Sequence, residues 1–476
     1  MAAVRTGDLT AAEQGLTTAF PAGAWSDAGG AEVSGHVVAG LLTAPPGRRD
    51  ATVPAVRLRD AVVTGLLDLS YAEVAAPVHF DRCRFEQPPQ LTGATTRTLE
   101  FSACELPGLD ARLTEVRGDL RLSRSVVTGR ASLENAHISG TVHLSAVAFL
   151  NPGDRALSAG GMVVGGGVFG RGGLRTDGET RLIGARVDGG ILLEGARFSN
   201  PGGVALCLDD VATNRLACSA GFSTDGQLLL RGAQISGEVS FYDARLHGPD
   251  RALRARGLQA GELILMPAEV HGLVDLSRAH VGALRDAPER WPTSMRLDGF
   301  SYDHLLPMGD AIGVRARCQW LARDAQSYRP QPFEQLAAYY RRLGHDDDAR
   351  RVLLAKERHR RATLHPLRRV GGYLLDALVG YGYRSWLAGV WLAVLMAVGT
   401  AVFAAWPPGP VDPEHHPHFA ALVYTVDLLI PIGAFGLRSA YDPAGATQWV
   451  ADGLVAAGWI LATALVAGVS RSLGRD

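Results

Sequence analysis

Histidines and carboxylates are densest in one stretch of this sequence, which contains Asp412, Glu414, His415, His416 and His418. Imidazole and carboxylate side chains are common ligands of divalent metal ions. The order His-Pro-His in a loop, however, fixes neither the distance between such ligands nor their direction. The cluster is a weak metal signature, and we assign no metal ligand from the sequence.

A nucleotide-binding signature is present only in outline. The string Gly165–Gly170 has the form GxGxxG, a candidate strand precedes it, and Asp188 follows at nearly the distance expected of a ribose-binding acid. The glycine-rich stretch Arg171–Gly178 cannot form the helix that such a turn must open. GxSxG, Walker A and HExxH sequences do not occur either. We therefore expect no cofactor and assign no catalytic residue.

The five cysteines form no CxxC pair and are too scattered for a disulfide framework. Cys207 and Cys218 lie 11 residues apart, which is also the interval between several glycines. We expect these cysteines to be buried free thiols, because unpaired cysteine is usually a small apolar core residue.

Asp427 is the residue whose position alone suggests a function. It lies in the apolar run Phe419–Leu437, and an acid at membrane depth needs a partner or a task. Arg438, the hydroxyl of Tyr424 and the ends of nearby helices are candidate partners. Pro431 and the glycines of the run favour a re-entrant or interfacial segment over a third span.

The same run bears on a pore function. Thr425–Gly436 distantly resembles the filter segment of a potassium channel, but Gly-Ala-Phe-Gly replaces Gly-Tyr-Gly and the threonine is displaced. Two spans joined by an apolar re-entrant loop are also the layout of a minimal pore domain. A channel-like or sensor function is therefore an alternative interpretation.

Two long apolar segments near the C-terminus predict membrane spans. Residues 385–406 contain no charge and, as a helix, would reach about 33 Å, enough for the hydrocarbon core. Residues 449–470 carry one charge, Asp452, near their start. The sequence therefore predicts a two-helix transmembrane domain over 384–476, with 407–448 as the connecting loop.

The distribution of arginine orients the two spans. Arginines are concentrated before the first span and after the second, whereas Arg438 is the only basic residue between them apart from histidines. The positive-inside rule then places both termini in the cytoplasm and 407–448 outside. The segment 366–383 mixes arginines, tyrosines and leucines, which predicts an interfacial helix on the inner leaflet of the cell membrane.

Glycine spacing is the strongest regularity before these spans. Gly118, Gly129 and Gly140 are 11 residues apart, and short alternations of apolar residues follow them. Alternation has the period of a strand, and units this short bury an apolar face only by stacking. We predict an irregular β-solenoid over 51–290, with a two-sheet sandwich as the alternative. Alanine fits the narrow interior, and glycine fits corners that need a positive φ.

Helical segments flank the predicted solenoid. Leu9–Phe20 and Glu32–Leu42 predict short helices in an N-terminal cap over 1–50, because an open solenoid end exposes strand edges. The aromatic segment 291–329 is predicted to cap the other end. Residues 330–365 then predict an αα-hairpin, in which one helix follows Pro330 and ends at Gly344.

The bulk composition excludes some functions. The formal net charge is −1, which gives the chain as a whole no nucleic-acid-binding signature. The N-terminal residues lack the apolar core of a signal peptide, so we expect the region before the spans to stay in the cytoplasm.

The chain resembles a family of actinobacterial membrane proteins with a pentapeptide-repeat-like β-solenoid and C-terminal transmembrane helices. The resemblance rests on LDLSYAEV (67–74), LDGFSYDHL (297–305), residues 330–361 and YTVDLLIPIGAFG (424–436). Members are often labelled membrane-associated oxidoreductases. The resemblance thus implies an oxidoreductase, although the residues supply no supporting motif.

The function that the sequence favours is a membrane-anchored scaffold. Its solenoid would present a repetitive surface to a cytoplasmic protein partner, and its spans would bind the lipid bilayer. An enzyme is the less favoured interpretation, which binding of flavin or nicotinamide by the purified protein would support.

Overall fold

The computed structural model describes residues 9–44, 53–324, 328–363, 365, 373, 386–412, 417–430 and 435–473. The chain divides into two compact units, Met1–Gln335 and Leu336–Asp476. The first is a β-solenoid of about 11 turns, which confirms the predicted β-solenoid followed by helices.

The solenoid consists of short strands in regular succession. The strands of its first half are β1 Ser26–Asp27, β2 Glu32–Ser34, β3 Val56–Arg59, β4 Val62–Thr64, β5 Val78–Asp81, β6 Arg84–Phe85, β7 Thr95–Thr96, β8 Leu99–Ser102, β9 Glu105–Leu106, β10 Leu109–Asp110, β11 Glu115–Val116, β12 Leu120–Arg121, β13 Val126–Val127, β14 Ala131–Ser132, β15 His137–Ile138 and β16 Val142–His143.

The second half contains several longer strands, which run around a corner from one side of the coil to the next. They and their neighbours are β17 Ala148–Ser158, β18 Val163–Val164, β19 Val168–Phe169, β20 Arg175–Arg181, β21 Arg186–Val187, β22 Ile191–Leu192, β23 Arg197–Cys207, β24 Ala212–Thr213, β25 Leu216–Ala217, β26 Ser223–Leu229, β27 Gln234–Ser240, β28 Arg245–Arg254, β29 Gln259–Leu265, β30 Glu269–Asp275, β31 His280–Asp286, β32 Met295–Arg296 and β33 Ser301–Pro307.

One coil shows the geometry of all the others. Strands β8, β9, β10 and β11 form its four sides, and Leu99 pairs with Leu120, which lies 21 residues further on. Every pairing that the structure describes between solenoid strands is parallel and joins successive coils, which excludes the two-sheet sandwich. Because each coil is covered by the next, a unit too short to fold alone can bury its apolar side chains.

The interior is filled by columns of side chains in register. One column contains Phe149, Thr176, Phe198, Thr224 and Leu246, each paired with the next across neighbouring coils. All five are at most 2% exposed. Threonine is smaller than phenylalanine, so its alternation with the rings leaves room for them in a close-packed core.

Positive φ angles occur at corners, but mostly not at the glycines that the sequence singled out. Arg124, Asn135 and Ala146 lie 11 residues apart, with φ angles of 57°, 56° and 56°. Coils of about 22 residues in this region therefore have two left-handed corners, and the 11-residue interval is half a coil. Non-glycine residues are strained at such angles, so packing of the coils must stabilise them.

The glycines at 118, 129 and 140 have a different role from the one expected. None of them has a positive φ, but a Cβ on Gly129 would lie 2.3 Å from the Pro107 carbonyl oxygen. A Cβ on Gly140 would lie 2.6 Å from the carbonyl oxygen of Gly118 in the preceding coil. These positions need glycine because successive backbones approach too closely for any side chain.

Strand pairing extends beyond the predicted limits of the solenoid at both ends. In the N-terminal region, helices α1 (Ala11–Ala19) and α2 (Gly35–Thr43) accompany β1 and β2, which pair with β3 and β4. At the other end β33 pairs with β31 as far as Pro307. Residues 32–34 are therefore a strand rather than the start of a helix.

Helices follow the last coil. Their bounds are α3 Val314–Leu321, α4 Pro330–Arg342, α5 Asp346–Ala362, α6 Trp386–Ala405, α7 Ala421–Leu429, α8 Leu437–Ala440 and α9 Ala446–Leu473. Two short antiparallel strands, β34 Gly409–Pro410 and β35 Tyr441–Asp442, pair within the second unit.

Helix α4 ends on a left-handed glycine as the sequence predicts. Gly344 has a φ of 77°, and its N–H donates to the Arg341 carbonyl oxygen at 2.9 Å. The N–H of His345 donates to the Tyr340 carbonyl oxygen at 2.9 Å. These bonds satisfy carbonyl groups that the end of a helix leaves free.

One apolar helix could cross a membrane. Among the residues that the structure describes, only Leu387–Ala405 of α6 is long and apolar enough, and one such helix is weak evidence by itself. The second predicted span, 449–470, lies within α9, whose first turns carry the polar residues Thr447, Gln448 and Asp452. The two-helix transmembrane domain is therefore not confirmed. The predicted interfacial segment 366–383 lies outside the described residues, except for Tyr373.

Candidate functional site

The formal GxGxxG string is part of the solenoid wall. Val168 and Phe169 form β19, and the next regular element is strand β20 rather than a helix. A Cβ on Gly165 would lie 2.6 Å from the Ser139 carbonyl oxygen, and a Cβ on Gly166 2.7 Å from that of Gly140. Close contact between coils thus accounts for these glycines without a bound phosphate.

Four of the five cysteines are buried among core residues, and Cys318 is partly exposed. Cys207 and Cys218 are free, and they lie on different sides of their coil, at the end of β23 and just after β25. Burial raises the pKa of Cys207 to about 11 and that of Cys218 further still. Thiols with raised pKa values are mostly protonated at neutral pH and are poor nucleophiles.

A shallow groove runs along the solenoid side that contains β10 and β14. It consists of two adjoining clefts of about 340 and 330 Å³ that share Glu134. We call it the arginine groove, and its charged residues are Asp110, Arg112, Arg130, Glu134, Arg155 and Arg181. The parallel stacking of coils positions them, because equivalent positions lie side by side.

Four arginines and two carboxylates line the arginine groove. Arg112 donates to both carboxylate oxygens of Asp110, at 2.9 and 2.7 Å, and Arg130 contacts Glu134 at 2.9 Å. The hydrogen bonds from Arg112 lower the pKa of Asp110 below its ordinary value. The side chains of Arg112 and Arg130 remain 51% and 43% exposed. Both guanidinium groups can therefore contact a further carboxylate from outside.

The arrangement favours binding over catalysis. The groove is open and only about half apolar, whereas pockets for small molecules are usually concave and mostly apolar. Paired guanidinium and carboxylate groups recognise complementary charged side chains through directed hydrogen bonds.

Asp427 is fully buried in the second unit. Its two carboxylate oxygens accept hydrogen bonds from the backbone N–H groups of Phe435, at 3.0 Å, and Arg438, at 2.9 Å. Arg438 thus contributes its backbone N–H at the start of α8, which is one of the partners proposed from the sequence. These bonds draw the chain after α7 back towards that helix.

Helix α7, which carries Asp427, packs against both long helices of its unit. A Cβ on Gly399 of α6 would lie 2.5 Å from the Thr425 side chain. A Cβ on Gly458 of α9 would lie 2.2 Å from the Leu429 carbonyl oxygen. Small residues in the long helices therefore allow α7 to approach them closely, as in membrane helix pairs.

The histidine stretch of the sequence is only partly described. His415 and His416 lie outside the described residues, whereas the Nδ1 atom of His418 contacts the carbonyl oxygen of Phe419 at 3.3 Å. The structure instead brings His247, Glu269 and His271 together on the solenoid. A sequence signal for this second cluster exists: His-Gly occurs at 247–248 and again at 271–272.

A buried ion pair closes the solenoid end and was not expected from the sequence. Asp286 at the end of β31 bonds to both terminal nitrogens of Arg317 in α3, and both side chains are at most 2% exposed. Trp291 Nε1 also donates to Asp286, at 2.8 Å. Nothing in the local sequence around either charged residue distinguishes it from a surface residue.

The fold and these sites define a β-solenoid protein with a helical C-terminal unit. Comparison with protein-family models, with curated proteins and with solved structures gave no match for the chain.

Proposed function

We propose that this protein is a membrane-anchored scaffold whose solenoid binds a protein partner along the arginine groove. The observation that carries the proposal is the pair of adjoining open clefts with exposed, aligned arginines. A partner surface with carboxylates at matching intervals would share the guanidinium groups with Asp110 and Glu134. Such charge complementarity contributes specificity and fast association.

The anchor is proposed to be the apolar C-terminal region. Helix α6 is the first membrane span, and α9 supplies the second, with the small residues of both accommodating α7. The distribution of arginine supports cytoplasmic termini and an external segment 407–448. In this arrangement the solenoid faces the cytoplasm and its partner is a cytoplasmic protein.

Site-specific photo-cross-linking in cells tests the scaffold. A photoreactive residue at position 132 of the full chain, in the floor of the arginine groove, should capture one discrete partner, which tryptic peptides identify. The same residue at position 242, on an exposed corner outside the groove, should not. The double variant Arg112→Glu, Arg130→Glu should lose the captured band.

A matched variant controls for net charge. The double variant Arg84→Glu, Arg117→Glu alters two arginines that are 73% and 58% exposed and outside the arginine groove, so the captured band should persist. Equal capture from positions 132 and 242, or capture that survives the double charge reversal, would contradict the proposed binding surface.

A channel-like function is the second candidate, and the packing of α7 favours it. A short helix held between two long helices, followed by a chain turned back by Asp427, is the arrangement that a re-entrant pore loop requires. Purified full-length protein in planar bilayers would then conduct ions, and Asp427→Asn would abolish the current. Silent bilayers containing correctly inserted protein would exclude this function.

A further inference from the structure

Two histidines and a glutamate meet on the solenoid surface, away from the arginine groove. His247 of β28 and His271 of β30 are register partners in adjacent coils, and their rings stack with centroids 4.7 Å apart. Glu269 lies two residues before His271 on the same strand, so its side chain points to the same face. The coil geometry thus brings together residues that are 24 positions apart in the chain.

The donor atoms have the spacing of metal ligands. Nε2 of His247 lies 3.4 Å from one oxygen of Glu269, and Nε2 of His271 lies 3.1 Å from the other. One candidate ligand atom from each residue lies within 4.8 Å of the others. Bonds of about 2.1 Å at tetrahedral angles would put ligand atoms about 3.4 Å apart. The stacked rings, inclined by 18° to each other, must turn about their χ angles so that both Nε2 lone pairs point at one ion.

The Nε2 atom of His247 lies 3.4 Å from a Glu269 oxygen but makes no hydrogen bond to it. It is buried, and none of the residues that the structure describes gives it a hydrogen bond of acceptable geometry. A buried polar atom without a partner is destabilising, and one explanation for such an atom is an ion that binds there. This atom lies on the side of the ring that faces Glu269.

The backbone holds both histidines in place. Each is followed by a glycine at a tight corner, and a Cβ on Gly272 would lie 2.6 Å from the Gly248 carbonyl oxygen. The close contact between the two corners fixes the register of the coils and therefore the separation of the rings. Ligands on rigid strands are already organised for binding.

Charged neighbours complete the surroundings of the cluster. Asp225 is the register partner of His247 on the preceding coil, and Arg245 is the register partner of Glu269. Asp225 adds negative charge on the side away from His271. The positive charge of Arg245 disfavours binding of a cation nearby. Glu269 must therefore contact the ion directly for its negative charge to outweigh that of Arg245.

From this geometry we propose that His247, Glu269 and His271 bind a divalent transition-metal ion, with Zn²⁺ as the representative. Two imidazoles and one carboxylate suit zinc and its neighbours better than magnesium or calcium, which prefer oxygen ligands. Glu269 and His271 are exposed, so the remaining coordination positions are open to water or to a group from another molecule. The site is independent of the proposed scaffold function.

Calorimetric titration of metal-free full-length protein with zinc chloride at pH 7.5 tests the site. The parent protein carries alanine at 415, 416 and 418, which removes the loop histidines, and has no histidine tag. We expect one zinc per chain. His271→Ala and Glu269→Gln should each weaken binding by at least about 100-fold, because losing only an outer-shell partner costs about 10- to 100-fold.

His280→Ala is the matched control. His280 is another exposed solenoid histidine, whose Nε2 lies 3.7 Å from Asp303 Oδ2, and it belongs to no three-ligand cluster among the described residues. Its loss should leave zinc binding unchanged. His271 is 68% exposed and Glu269→Gln preserves shape, so both variants should keep the wild-type circular dichroism spectrum. The proposal would be overturned if the parent protein did not bind zinc. It would also be overturned if His271→Ala and Glu269→Gln bound zinc as tightly as the parent protein.

Discussion

Two buried aspartates, one in each unit of the molecule, are stabilised in opposite ways. Asp286 at the solenoid end is neutralised by the guanidinium of Arg317 and bonded by the indole of Trp291. Asp427 in the helical unit binds two backbone N–H groups. The first carboxylate joins side chains that are distant in sequence, whereas the second shapes its own loop. A buried charge can therefore fix tertiary contacts or local backbone, depending on its donors.

The largest effect is expected from breaking the pair at the solenoid end. Asp286→Asn leaves the Arg317 guanidinium buried without a counter-charge, which should lower the free energy of unfolding by about 3–5 kcal/mol. Urea unfolding followed by circular dichroism at the strand signal measures this loss.

Removing both charges together should be far milder. In the double variant Asp286→Leu, Arg317→Met no buried charge remains, so much of the lost stability should return. If the double variant is as unstable as Asp286→Asn, burial of an unpaired charge is not the cause, and the contrast with Asp427 must be explained differently.

An intermediate effect is expected at Asp427. Leucine there leaves the part-buried N–H groups of Phe435 and Arg438 without their acceptor, at about 1 kcal/mol for each amide, the lower end of the range for buried groups. Asparagine keeps one acceptor oxygen and should lose about half as much. Thermal unfolding of the full chain in detergent micelles gives the order wild type, Asn variant, Leu variant. A leucine variant as stable as the wild type would show that these bonds do not hold the loop.

The smallest effect is expected at Asp119, a solenoid carboxylate that stays in contact with water. Burial raises its pKa, but hydrogen bonds from Arg121 and Thr141 outweigh burial and lower the pKa to about 2, from an ordinary value of 3.8. A lowered folded-state pKa means that this carboxylate stabilises the fold above pH 3.8 and that the stabilisation is lost as the pH falls towards 2.

The measurement compares wild type and Asp119→Asn between pH 4.5 and 2. The wild type should lose more stability over this range, by less than about 1 kcal/mol because a solvated pair contributes little. Parallel pH profiles for the two proteins would show that Asp119 is not linked to folding.

The sequence located one of the two buried aspartates and missed the other. Asp427 interrupts an apolar run, so the cost of its burial is visible in the sequence. Asp286 is the last residue of an ordinary alternating strand, and its partner Arg317 lies 31 residues away in a helix. Only the stacking of the last coil brings them together, and no local pattern contains that information.

The solenoid itself was predictable because its period is repeated many times. The 11-residue interval corresponds to half a coil. The glycines at 118, 129 and 140 are required by close contact between successive backbones and not by a positive φ. The second membrane span was not confirmed: among the described residues, only Leu387–Ala405 is both long and apolar enough to cross a membrane.

The zinc-binding cluster shows why familiar ligand spacings failed. On a helix, metal ligands recur three or four residues apart, as in the HExxH sequence. In a parallel solenoid, neighbouring ligands are one whole coil apart. His247 and His271 lie 24 residues apart, near the length of one coil, and each is followed by glycine, so the repeated His-Gly pair was the available sequence signal.

Parallel stacking also makes the length of the solenoid change in fixed steps. Successive coils are about 4.8 Å apart, so about 11 turns give an axial reach of about 50 Å. Insertion or loss of a whole coil would change that reach by one step while every ladder stays in phase. Loss of half a coil would rotate all later coils by half a turn. Residues that face outward on one side of the solenoid would then lie on the opposite side. The length of the solenoid can therefore change only in steps of one coil, and only insertions or deletions of whole coils preserve the pattern of surface residues.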